Sequence, residues 1–265
     1  MMFRRLLILM LILLAGTLTA RGQELRTAVP LDDGTFLAAG ECLAWLDSEG
    51  NVLRKRPLSR PLTVLANYKK RLYALDTEGH LLRLDKNGNV LSQKMLPVQG
   101  RLRGLTVFRD LIWIVTDAGE ILHGDGVSGW TVQAFNEVYA GYYPRMDFRA
   151  VAGGSENIMV AGIRPDGKPT VFTSARGTVW NERSLDYMER GLPHMFTDAV
   201  TGLGHDAAQD RFYLTGGGGA LLALPGCSHC NTLTRYPVDT LYARIPVETG
   251  TLLLGSGGYR KMEDK

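Results

Sequence analysis

The chain is expected to be an all-β protein, a β-propeller of about six blades, each of four short antiparallel strands, with the last blade incomplete. Three observations predict this. One eight-residue segment recurs at a fixed displacement, a short apolar run ending in glycine recurs six times, and no helical periodicity lies between these marks.

The clearest repeat is Leu46-Asp47-Ser48-Glu49-Gly50-Asn51-Val52-Leu53, which returns 38 residues later as Leu84-Asp85-Lys86-Asn87-Gly88-Asn89-Val90-Leu91. Each copy reads as two strands joined by a tight turn, with Gly50 and Gly88 supplying the positive φ such a turn demands. The glycine-ended runs are Phe36 to Gly40, Leu72 to Gly79, Ile112 to Gly119, Ile158 to Gly162, Phe212 to Gly216 and Leu252 to Gly255. Another apolar run precedes each, such as Leu62-Thr63-Val64-Leu65 or Leu105-Thr106-Val107-Phe108. Units of about four strands therefore occupy 24–60, 61–97, 101–137, 146–186 and 197–238, followed by a shorter one from 239 onward. A β-sandwich is the competing architecture, because short, evenly spaced strands serve both.

Residues 1–22 read as a signal peptide. Arg4 and Arg5 form a positive n-region, Leu6 to Ala15 is almost purely aliphatic, and Ala20 and Gly22 place small side chains for cleavage after Gly22. The run is short for a membrane span, and an uncleaved anchor is the alternative. The remaining 23–265 form one domain. Lys and Arg number 30 against 27 Asp and Glu in the full chain, but Arg4, Arg5 and Arg21 leave with the leader, so the mature chain is balanced. The expectation is an exported protein, periplasmic or extracellular, with no electrostatic reason to bind nucleic acid and no stable membrane insertion after cleavage.

Two segments bear family resemblances. Arg71-Leu72-Tyr73-Ala74-Leu75-Asp76-Thr77-Glu78-Gly79-His80-Leu81-Leu82 resembles the repeat of PQQ-like propellers. Thr173-Ser174-Ala175-Arg176-Gly177-Thr178-Val179-Trp180 resembles the Asp-box of sialidase-type and photosystem-assembly-factor-type propellers, with Ala175 where the box has its Asp. Each covers one blade, and together they imply a propeller fold without selecting a family. The vicinal cysteines and metal-binding acids of PQQ oxidoreductases have no counterpart, and no cofactor is expected.

In an oxidising compartment Cys227 and Cys230 of Cys227-Ser228-His229-Cys230 are expected to close a short disulfide, with a metal or redox site as the rival reading. Strand alternation puts Cys42 on the opposite face, which leaves it a free, buried thiol. Gly216-Gly217-Gly218-Gly219 precedes a strand, not a helix, so a tight connection explains it better than phosphate binding. The histidines show no metal-ligand spacing, and neither a Gly-x-Ser-x-Gly elbow nor an assignable carboxylate pair is present.

The two longest connections, 139–146 and 187–196, link the third blade to the fourth and the fourth to the fifth, and alternation puts both on one face. They carry Tyr139, Tyr142, Tyr143, Arg145, Tyr187, Glu189, Arg190, His194 and Phe196, residue types that dominate binding centres. These nine are the candidate ligand contacts, and packing between blades is the competing role. The sequence thus points to an exported, non-catalytic binding or assembly propeller that engages a protein or glycan. A carbohydrate-active, sialidase-like or other hydrolytic propeller is the alternative. Mass spectrometry of the exported protein is expected to find a mature chain beginning at Gln23, with Arg21 the second choice; intact Met1 in the membrane fraction would make the leader an anchor.

Overall fold

A computed structural model describes residues 23–127, 129–226 and 231–262. Residues 1–22, expected from sequence to be a signal peptide, and Cys227–Cys230, expected to hold a disulfide, lie outside these described residues. The chain forms a six-bladed β-propeller, every blade an antiparallel meander. Blade 1 holds β1 (Leu25–Pro30), β2 (Phe36–Gly40), β3 (Cys42–Leu46) and β4 (Val52–Pro57). Blade 2 holds β5 (Leu62–Tyr68), β6 (Arg71–Asp76), β7 (Leu81–Leu84) and β8 (Val90–Lys94). Blade 3 holds β9 (Leu102–Phe108), β10 (Leu111–Thr116), β11 (Glu120–Gly124) and β12 (Trp130–Ala134). Blade 4 holds β13 (Asp147–Gly153), β14 (Ile158–Ile163), β15 (Pro169–Ser174) and β16 (Asn181–Arg183). A separate hairpin of β17 (Asp186–Glu189) and β18 (Leu192–Met195) follows. Blade 5 holds β19 (Val200–Asp206), β20 (Arg211–Gly216), β21 (Ala220–Leu224) and β22 (Thr232–Arg235). Blade 6 has three strands among the described residues, β23 (Leu241–Val247), β24 (Gly250–Gly255) and β25 (Gly258–Met262).

Burial explains why these segments read as continuous apolar runs instead of alternating ones. The middle strands are sandwiched between neighbouring blades, so both of their faces are covered: β3 is buried throughout, and β10 everywhere but its first residue. Outer strands face solvent, and β8 is exposed at every position. Arg54, Lys55 and Arg56 on β4 place charge along such an outer strand, which discourages pairing with another chain. Six apolar clusters fill the six gaps between blades. Leu25, Ala38, Cys42, Ala44 and Leu46 of blade 1 meet Leu252 and Leu254 of blade 6 in the cluster that closes the ring. Among the described residues no strand is shared across that seam; the Glu248 N–H donates to Ser48 O at 3.1 Å beside the apolar contact. Cys42 is free and buried there, as expected, and burial raises its thiol pKa.

The innermost strands repeat one irregularity. In all six blades the second residue of the apolar start is skipped by the ladder, forming a bulge: Arg26, Thr63, Arg103, Arg149, Thr201 and Tyr242. Opposite it, blades 1, 4, 5 and 6 carry Gly40, Gly162, Gly216 and Gly255. A Cβ on Gly162 would come within 2.5 Å of Asp147 O, and one on Gly255 within 2.6 Å of Thr240 O; Gly40 would collide in the same way with Glu24 O. Blades 2 and 3 place Asp76 and Thr116 there instead, and their glycines, Gly79 and Gly119, lie in the following turns at φ +86° and +78°. The six glycine-ended runs are therefore two kinds of feature, four close approaches and two turns.

The repeated turns are built alike. Asp47 Oδ1 accepts the N–H groups of Glu49 and Asn51, and Asp85 Oδ1 those of Asn87 and Asn89, with Gly50 and Gly88 at positive φ. Gly216 to Gly219 is a connection between second and third strands, as the sequence implied, and Gly255 to Gly258 is the same connection in blade 6. The Asp-box-like segment is the turn between β15 and β16; with Ala175 in place of Asp, the neighbouring Ser174 Oγ accepts the Gly177 N–H at 2.8 Å.

The 139–146 connection is preceded by one helical turn, Phe135–Val138, whose Phe135 ring is wholly buried. It stacks on Tyr139 with centroids 4.6 Å apart and meets Phe148 and Phe172 edge-on at 5.1 and 4.9 Å. Phe135→Ala is expected to cost about 3–5 kcal/mol of stability, the range for a large aromatic deleted from a packed core. Denaturant melts of the two proteins measure this, and a cost below about 1 kcal/mol would show that the groove between blades 3 and 4 recloses.

Candidate functional site

Strand alternation assigns the connections to two faces. The first–second and third–fourth connections share one; the second–third and blade-to-blade connections share the other, here the second face. Both 139–146 and 187–196 are blade-to-blade connections, so they lie together on the second face, but they pack into different grooves. Tyr139 and Tyr143 join the cluster between blades 3 and 4, whereas Tyr187 and Phe196 join that between blades 4 and 5. The Tyr139 hydroxyl accepts the Trp180 N–H at 3.0 Å, and Tyr143 meets Phe172 at 4.8 Å. These two rings seal a groove. Phe196, only 1 % exposed, is a core residue, because its ring fills the cluster beneath the hairpin; this corrects its expected place among the ligand contacts. Tyr142 is 83 % exposed, and Arg145, Glu189, Arg190 and His194 are exposed.

The 187–196 connection reads in sequence as a loop; the structure makes it the β17–β18 hairpin. Arg190 and Gly191 occupy its turn, both at positive φ. Cross-strand partners share a face, so Tyr187 with His194 forms one side and Met188 with Pro193 and Asp186 with Met195 the other. Tyr187 stacks on His194 at 5.8 Å and leans on the core, which turns Met188 and Met195 outward. Asn231 Nδ2 donates to Ser184 O and Asp186 O, tying the hairpin base to blade 5. Met188, Leu192 and Met195 are 57, 63 and 57 % exposed.

A second feature was not singled out from sequence. The six inner strands enclose an axial channel of about 710 Å³, and all six bulge residues line it. Because the bulges occur at the start of each inner strand, they ring the channel near the second face. Arg26, Arg103 and Arg149 supply three positive charges to this ring. Each is held by a carboxylate: Arg26 Nε donates to Glu24 Oε1 at 3.2 Å, and Arg149 Nη2 donates to Asp147 Oδ2. Arg103 gives both Nε and Nη2 to Asp117 Oδ2, at 3.0 and 2.7 Å, while Asp117 Oδ1 accepts the Arg101 N–H. Arg26 also lies over the Tyr242 ring, 5.5 Å from its centroid. Burial and the Glu24 carboxylate push the Tyr242 hydroxyl up to about 12. Burial, reinforced by Asp117, raises the Asp147 carboxyl against the pull of Arg149 and Arg103. Arg149 Nε and Asp147 Oδ1 are buried without a protein partner. The signal in the sequence was an Arg directly after the first apolar residue of units 1, 3 and 4, visible only once the repeats are phased on their inner strands.

Asp76 also lines the channel. It sits with Glu78 and His80 as a cluster whose ligand atoms lie within 4.8 Å of one another. Its Oδ1 accepts the N–H groups of Glu78 and His80, Oδ2 lies 2.9 Å from His80 Nδ1, and Arg60 is 3.7 Å away. These bonds are those of a locked turn. Near the other end of the channel Arg244 is engaged by Asp206 at 2.9 Å, by Thr251 Oγ1 and by the Tyr213 ring.

Fold and site thus define a six-bladed propeller with an arginine-lined axial channel and an added hairpin on one face. No protein-family model and no curated protein sequence matches the chain. Solved structures match over nearly the whole length. A catalytically inactive variant of virginiamycin B lyase from Staphylococcus aureus, with quinupristin, superposes with a TM-score of 0.60 at 11 % identity, covering 93 % of this chain and 86 % of that one. The WD40 repeats of RRP9 give 0.60 at 11 %, covering 88 % of each chain. A chain of the mitotic checkpoint complex gives 0.56 at 12 %, covering 91 % of this chain and 75 % of that one. These likenesses establish the fold.

The Asp76 turn makes a pH dependence. Burial alone would raise its pKa, but the His80 and Glu78 N–H groups and the His80 ring outweigh burial and lower it. A depressed folded-state pKa adds stability above the unfolded value, and that stability is lost as pH falls through the folded pKa. Asp76→Asn is therefore expected to be less stable than the parent at neutral pH, with the gap narrowing below about pH 4. Thermal melts across that range measure it, and a gap independent of pH would assign the loss to geometry alone.

Proposed function

We propose that this protein is an exported, non-catalytic propeller that engages a protein or glycan partner through its second face, with the β17–β18 hairpin as the principal contact. The carrying observation is the hairpin itself. Among the described residues no other blade-to-blade connection forms strands, and this one holds Met188, Leu192 and Met195 out to solvent on a backbone anchored by Tyr187 and Asn231. Met188 and Met195 share one side of the hairpin and Leu192 lies on the other near its tip; exposed apolar side chains on a fixed element are the usual mark of an interaction surface. Tyr142, Arg145 and Arg190 add an aromatic and two guanidinium groups on the same face. A protein partner is favoured over a glycan, since one similar fold is a component of the mitotic checkpoint complex. Export rests on the leader-like residues 1–22, and the Cys227–Cys230 disulfide is part of the same reading.

A hydrolytic propeller is the second reading, favoured by one observation: Asp147, behind the channel arginine Arg149, has a raised pKa and an unpartnered buried oxygen beside two arginines.

The binding proposal is tested with a triple variant, Met188→Ser, Leu192→Ser and Met195→Ser, used beside the parent as bait in the extracellular or periplasmic fraction of the source cells. A partner captured by the parent is expected to bind the variant at least about thirtyfold more weakly, the loss of a single central anchor. Thermal stability should change little, because exposed substitutions usually act within about 0.5 kcal/mol each. Equal capture by both proteins, or unfolding of the variant, would remove the hairpin from the interface.

A further inference from the structure

We infer that the second-face end of the channel is a binding site for a small ligand bearing an oxyanion, carboxylate or phosphate, held among Arg26, Arg103 and Arg149. The inference stands independently of the hairpin. Bulges re-aim side chains, and here one occurs at the same position of every inner strand. Three of the six bulge residues are arginines, from blades 1, 3 and 4, so their guanidinium groups approach one level of the axis from two sides.

The carboxylates that accompany them do not cancel this. Glu24, Asp117 and Asp147 do not line the channel, and Asp76, the one acid that does, is occupied by its own turn and by Arg60. Asp117 takes the Nε and Nη2 edge of Arg103 and leaves Nη1 without a protein partner among the described residues. A guanidinium fixed along one edge presents the rest of its donors at a set angle, as oxyanion recognition requires. Arg149 Nε adds a buried donor that no protein group accepts, as Arg211 Nε does elsewhere in the chain; buried donors in folded proteins are mostly paired. The channel, at about 710 Å³, has the size of a small-molecule site. Arg244 shows the contrast: near the other end, a guanidinium with a carboxylate, a hydroxyl and an aromatic face around it has its partners already.

Isothermal titration of the purified protein with sodium phosphate, sodium sulfate and sodium lactate, at ionic strength held constant with chloride, tests the site. Saturable binding of at least one of the three is expected, with a dissociation constant of about millimolar order. Preference for lactate would identify the ligand class as a carboxylate, and preference for phosphate or sulfate as a tetrahedral anion. Arg103→Gln and Arg149→Gln should each weaken binding about tenfold or more, the cost of a lost charge-assisted pair. Each of these variants strands a carboxylate, Asp117 or Asp147, and Arg26→Gln strands Glu24; because the three ion pairs are separate and lie in three blades, weakened binding in all three folded variants is what a shared site requires. Arg235→Gln, a surface ion pair with Asp198, serves as the control and should bind as the parent does. No saturable binding of any probe, or a folded Arg26→Gln protein that binds as tightly as the parent, would overturn the inference.

Discussion

Closure of the ring is the constraint on which the rest of the molecule depends. Each blade presents two apolar faces, and neither can be left in water; a fully buried Leu or Val contributes about 1.5–3 kcal/mol relative to an exposed one. Six sheets around an axis satisfy all twelve faces only if the last meets the first. Here, among the described residues, that seam has no shared strand and is made chiefly by side chains, Leu25, Ala38, Cys42, Ala44 and Leu46 against Leu252 and Leu254, beside the one backbone bond from Glu248 to Ser48. Substitution at any of these positions therefore acts on the whole ring, not on one blade.

Closure also crowds the axis, and the inner strands record this. The bulge at each inner strand brings its carbonyl backbone towards the second strand, which is why four second strands end in glycine opposite it. Where blades 2 and 3 put Asp76 and Thr116 at that place, both side chains are used to bind the following turn: Asp76 takes the Glu78 and His80 N–H groups, and Thr116 Oγ1 the Glu120 N–H. One steric problem thus has two solutions in the same chain. The same bulges set which residues face the channel, so the arginine ring is a consequence of how the propeller closes.

The second face divides its labour. The connection after blade 3 turns inward, where Phe135, Tyr139 and Tyr143 fill the groove towards blade 4. The connection after blade 4 turns outward as a hairpin, since Leu185 and Phe196 anchor its two ends in the core while the strands between them bond to each other. Aromatic composition is common to both connections, and only the side that each ring faces separates a seal from a docking element.

Much of the architecture was legible in the chain itself. The recurrence of Leu46–Leu53 at Leu84–Leu91 and the six glycine-ended runs fixed the strand phase, because turns and close approaches admit few residue types. Blade limits, the short last blade and the buried Cys42 followed from that phase. The site was not legible to the same degree. Tyr139, Tyr143 and Phe196 look like binding residues by type, yet burial depends on what lies across the groove, which a local pattern does not encode. Arg26, Arg103 and Arg149 lie far apart in sequence and are unremarkable singly; they become one feature only when ring closure brings the starts of the inner strands to a common axis. Strand identity within the blades is a local property of backbone and pattern, so the sequence determined it there, though not in the β17–β18 hairpin; which side chains converge is a property of closure, and the tertiary structure alone decided that.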